Sequence, residues 1–143
     1  MAVSVDAVVV APYTAFVARL AGSVLRLLGE PVTVTGCTIS SPRFAVLIYN
    51  GCNGLITSLV FVSAVLAFPA RWTVKAVGVV GGLLAIQLIN QVRIVSLFYI
   101  GIFLPSFFND AHIVVWQSIV IVAGVALWVA WAGRAVAFRR ARQ

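Results

Sequence analysis

Charge is what this sequence has least of. Only 9% of its 143 residues are Asp, Glu, Lys or Arg, against 63% apolar. Its mean hydropathy of +1.14 is far above what a water-soluble globular domain carries. Water is therefore excluded as the main solvent. The sequence also lacks Gly-x-Ser-x-Gly, His-Glu-x-x-His and P-loop patterns, which removes the common serine-hydrolase, zinc-protease and nucleotide-binding readings. It has one histidine and two cysteines, with no spacing of the kind zinc sites use, so neither a metal nor another cofactor is expected. No basic stretch precedes the first apolar run, and Asp6 stands where one would be, which argues against a cleavable signal peptide. There is no internal repeat.

What is present is long uncharged runs. Phe44 to Ala70 and Ala76 to Val92 carry no charge, and from Ala111 to Gly133 the only ionisable group is His112. Each approaches the roughly 20 residues that cross hydrocarbon, which predicts three transmembrane helices over 51–69, 73–101 and 111–132. The net charge of +7 does not point to nucleic acid, because the basic residues gather at helix ends. Arg71 and Lys75 occupy a turn, and Arg134, Arg139, Arg140 and Arg142 fall in a tail over 133–143. The positive-inside rule puts that turn and tail in the cytoplasm. The segments Pro31 to Gly51 and Ile102 to Ala111 then face outward, with Arg43 their only basic residue.

The segment 7–28 is apolar but carries Arg19 and Arg26. An arginine inside a span costs at least a few kcal/mol, so a helix lying in the outer interface is expected, with a fourth, imperfect span as the alternative. Residues 32–50 then read as an extended outer segment. Val32–Gly36 alternates and is rich in β-branched residues, Ser40-Ser41-Pro42 is a turn, and Phe44–Tyr49 returns as a second strand. Gly78 and Gly82 stand four apart, as small residues do where membrane helices pack closely. Trp128 and Trp131 suit the interfacial belt. The expected fold is an all-α integral membrane protein: a small bundle of three to four transmembrane helices with a short β-like segment on its outer face.

This topology gathers three unusual residues in one leaflet. Cys52 opens the first predicted span, within Asn50-Gly-Cys-Asn-Gly54, and glycines on both sides let another backbone approach. A helix N-terminus and a nearby cation favour the thiolate, which is the nucleophile. Arg93 lies roughly 12 Å below the outer end of its predicted helix at 1.5 Å per residue, and with Gln87, Asn90 and Gln91 it forms a polar stripe expected to face the bundle interior. Its fixed charge can hold a thiolate, a carbonyl or a developing oxyanion. His112 opens the last span and can act as general base and then general acid. Alternatives stay open: an inert Cys52, a Cys37–Cys52 disulfide, or Arg93 as a packing element.

Three blocks carry a resemblance. Asn50-Gly-Cys-Asn-Gly54, Leu88-Ile-Asn-Gln-Val-Arg-Ile-Val-Ser-Leu-Phe-Tyr-Ile-Gly101 and His112-Ile-Val-Val-Trp-Gln117 resemble the successive Cys, Arg and His blocks of the exosortase/archaeosortase family, most closely its exosortase H branch. Ile39–Val46 and Leu66–Ala70 fit the same branch. The resemblance implies a cysteine peptidase or transpeptidase in the bacterial cytoplasmic membrane, with its site on the outer side. Its implied partners, besides the lipid bilayer, are exported proteins ending in a short motif of the IPTLxxWG type, a transmembrane helix and a basic tail. Carried over residue by residue, Cys52 attacks, His112 moves the proton and Arg93 stabilises charge. Asn53 and Gly54 of the first block, Asn90 of the second and Trp116 of the third support them. It also implies a further hydrophobic span ahead of the present start, and an acidic residue near the Cys block where this chain has Leu55-Ile-Thr57. Two other classes compete: a non-catalytic module binding a helix or lipid, and a thiol redox protein using Cys37 and Cys52.

Overall fold

The computed structural model describes residues 6–48 and 54–143. Helix α1 (Ala11–Leu27) follows a π-helical turn over Asp6–Val10, with Pro12 in its first turn where a missing N–H costs nothing. It ends in a Schellman arrangement. Gly29, at φ +92°, donates its N–H to Arg26 O, and the Glu30 N–H reaches Leu25 O. The residues Val17, Ala18, Ala21 and Leu25 are wholly buried, a stripe with helical spacing turned inward. Arg19 and Arg26 stay exposed on the other side, and Arg26 Nε donates to Val32 O at 3.2 Å. Over Val8–Leu27 this element is long and apolar enough to cross a membrane, which is the length of the fourth, imperfect span weighed above.

The extended segment is a three-stranded antiparallel sheet in the order β1 (Thr33–Thr35), β2 (Thr38–Ser40), β3 (Ala45–Leu47). The sequence pattern predicts two strands with Ser40 in the turn between them, and the fold has three. Gly36, at φ +58°, starts a two-residue turn with Cys37 and pairs Thr35 with Thr38. Glycine in the first central position is what a type II′ hairpin requires. The second turn closes through Ser41, whose N–H donates to Phe44 O at 2.8 Å and whose Oγ accepts from the Phe44 N–H at 3.2 Å. Val32, Ile39 and Ile48 are buried, and with Ile94 and Phe98 they join the α1 stripe in one core.

Helix α2 (Leu55–Ala67) has 13 residues, about 20 Å at 1.5 Å per residue, which is shorter than a hydrocarbon core of about 30 Å. Residues 49–53, where the sequence reading begins this span, lie outside the described part. Helix α3 (Trp72–Phe103) has 32 residues. From Pro105 the chain stays helical to Arg140, through a 3₁₀ turn, a short α-turn, a π-helical segment over Ala111–Trp116 and α4 (Gln117–Arg140). The expected tail over 133–143 is thus helical for most of its length.

With Val8–Leu27, the segments Trp72–Phe103 and Pro105–Arg140 are the three helices long and apolar enough to span, among the described residues. Leu84, Leu88, Val92, Ile121 and Val122 lie open on their outer faces. Such faces need hydrocarbon around them, and the protein is a small all-α integral membrane protein carrying one short sheet. Gly78 receives the Trp131 ring and Gly82 the Phe61 ring, with no room for a Cβ at either. Trp131 also donates Nε1–H to Val74 O at 3.2 Å and meets Phe68 edge-on at 5.5 Å. Its ring therefore works inside the bundle.

Candidate active site

The polar stripe of α3 turns inward. Asn90 is 2% exposed and Arg93 3%, three residues apart and so on one helix face. Gln87 and Gln91 are half-buried against α1. Tyr13 Oη donates to Gln87 Oε1 at 2.9 Å, and Gln91 Nε2 donates to Val17 O at 3.3 Å. These two bonds fasten α1 to the flank of the stripe, a role no local pattern signals because the partners stand 74 residues apart. Asn90 differs from both. Among the described residues neither its Oδ1 nor its Nδ2 has a hydrogen-bond partner, although each orphaned buried group costs about 1–3 kcal/mol.

Gly54 lies against that side chain. It has φ +74° and caps α2, and a Cβ built there would stand 3.2 Å from Asn90 Cγ. Glycine is needed here twice, for the left-handed backbone and for the close approach. The last residue of the Cys block is therefore held one helical turn from Arg93. Cys52 and Asn53 themselves lie outside the described residues.

His112 sits in the π-helical segment, and Trp116 closes that segment half-buried. One extra residue per turn shifts the phase of the side chains, and π-turns are frequent at functional sites. The imidazole lies parallel to the Phe108 ring, 6.2 Å away and 4° from coplanar. It faces α3 across a shared cleft, where Ile94 and Leu97 stand opposite it. Phe108 in turn meets Phe44 at 5.4 Å, and Phe44 meets Phe98 edge-on at 5.9 Å. Phe44 fits over Gly101, which has no space for a side chain of its own. An aromatic row thus links the sheet, α3 and the His112 segment around a cleft of about 210 Å³ lined by Phe44–Ile48, Ile94, Leu97, Phe108, Asn109 and His112.

Of the seven residues singled out from the sequence, Gly54, Asn90 and Arg93 share one locality, His112 lines a cleft with Ile94, the residue after Arg93, and Trp116 is on the same segment as His112. Cys37, the other cysteine, is a free thiol whose Sγ lies 3.9 Å from Ala11 O at the sheet's far hairpin. The cleft beside β3 is a feature that sequence patterns did not reveal.

The family model of transmembrane exosortases matches residues 1–129 of the chain. No curated protein and no solved structure matches it.

Proposed function

The chain belongs to the transmembrane exosortase family, and from that premise we propose that it is a cysteine transpeptidase or protease acting on C-terminal sorting signals. The substrates are exported proteins ending in a short motif of the IPTLxxWG class, a transmembrane helix and a basic tail. The enzyme sits in the bacterial cytoplasmic membrane with the sheet end outward. Arg71, Lys75 and the basic C-terminus then lie in the cytoplasm, as the positive-inside rule requires.

In this reading the Cys52 thiolate adds to the scissile carbonyl and Arg93 balances the charge on the tetrahedral oxygen. A fixed cation in a buried site needs no reorganisation to do so. His112 takes the thiol proton and passes it to the departing amine as the C–N bond breaks, leaving an acyl thioester on Cys52. An amine, or water, then attacks the thioester and regenerates the thiol. Asn90 is the positioning residue beside Gly54, with a carboxamide available for the acyl oxygen.

The observation that carries the proposal is the seating of Gly54, two residues after Cys52 in sequence, on Asn90 one turn from buried Arg93. The test is processing of a signal-bearing exported protein in membranes. Cys52→Ala, Arg93→Ala and His112→Ala each leave the signal uncut while the variant still inserts; processing undiminished in Cys52→Ala would mean that the family's chemistry is not this chain's.

A further inference from the structure

Strand β3 has one neighbour. The sheet order is β1-β2-β3, and no fourth strand lies beside β3 among the described residues. The ladder to β2 fixes which backbone groups it uses. The Ile48 N–H donates to Cys37 O, Phe44 O accepts from the Ser41 N–H, and Val46 stands opposite Ile39. In an antiparallel pair such bonded positions alternate, so Phe44, Val46 and Ile48 turn their backbone groups toward β2. Those of Ala45 and Leu47 point away from the sheet.

The cleft described above follows that open side. It is lined by all five consecutive residues Phe44 to Ile48, whose side chains alternate between the two faces of the sheet. A cavity over one face would touch every second residue, whereas one along the edge touches them all. The opposite wall is Ile94 and Leu97 of α3 with Phe108, Asn109 and His112. Among the described residues no acidic side chain and no permanently charged cation lines it, and its floor is apolar and aromatic.

We propose that this edge holds the substrate, with an extended, uncharged segment of the sorting signal adding to Ala45–Leu47 as a fourth strand beside His112. The inference rests on the exosortase reading and adds to it the means of recognition. Strand addition takes affinity from backbone bonds and specificity from alternate side chains. Two outward residues give a modest grip, which suits a substrate already confined next to the enzyme by its own membrane helix. Segments carrying charge would lose solvation on entering without meeting a partner.

The experiment uses the full-length chain in lipid vesicles and a synthetic signal peptide with an IPTLxxWG-class motif, a transmembrane helix and a basic tail. Backbone N-methyl groups are placed one at a time across the motif and the residues flanking it. Cleavage falls tenfold or more at alternate positions and changes little at those between; an effect without two-residue periodicity overturns the proposal. In a second arm, a photo-crosslinking amino acid replaces Leu47 in the Cys52→Ala chain. It joins the peptide within or next to its motif, whereas joining only a second copy of the enzyme makes the edge a self-association surface and overturns strand addition. The crosslink is read whether or not cleavage occurs, so a chain that binds at β3 but never cuts refutes the transpeptidase reading and leaves the docking site standing.

Discussion

At the scale of single residues, Asn90 bears the sharpest expectation. A buried carboxamide with both polar atoms unsatisfied among the described residues lowers stability and is kept where it has work to do. Asn90→Leu, of similar size, should raise thermal stability in detergent by about 1 kcal/mol through relief of that desolvation, while signal processing falls by about tenfold or more, equivalent to about 1.4 kcal/mol of transition-state stabilisation. A stabilised variant with full processing would make Asn90 a passive core residue. Gly54→Ala meets the left-handed backbone and the Asn90 side chain together. It should cost about 1–2 kcal/mol from the backbone alone and lower processing as well, checked by unfolding and cleavage on the same preparation.

At the scale of elements, the close approaches of α3 make a paired expectation. Gly82 is filled by the Phe61 ring, whereas Gly81 faces open space. Gly82→Leu overpacks the α2–α3 contact and should cost about 1–3 kcal/mol. Gly81→Ala should be neutral or stabilising by up to about 1 kcal/mol, since it only restricts the unfolded backbone. Equal effects at both sites would show that helix propensity, and not packing, governs α3. Tyr13→Phe removes the bond to Gln87 and should weaken the docking of α1 by about 0.6 kcal/mol, measured by thermal unfolding. The stripe Gln87, Asn90, Gln91 and Arg93 was legible in the sequence because polar residues within an uncharged run must find the interior. Strand β2 was not, since Ser40-Ser41-Pro42 carries a turn signal that hid Thr38–Ser40, although Gly36 marks the hairpin before it. Nor was the shortness of α2 between Leu55 and Ala67, because an apolar run does not say where its helix begins.

At the scale of the whole molecule, the sheet and the helices meet at the end of the bundle that holds Gly54, Arg93 and His112. The alternating direction of α3 and the helical segment after it returns Arg93 and His112 to that end, while Cys52 of the first block lies outside the described residues. The β3 cleft stayed hidden because it joins residues more than 60 positions apart, Phe44 to Phe108 and His112, through packing that no local period encodes. The proposed chemistry turns on one bond, the thioester on Cys52. Its most direct test is mass spectrometry of the full-length enzyme after incubation with the signal peptide and rapid acid quenching. An acyl adduct on Cys52 is expected, one that hydroxylamine removes and that Arg93→Ala abolishes or sharply reduces; processing that proceeds with no adduct on Cys52, or with one on Cys37 alone, would rule this chemistry out.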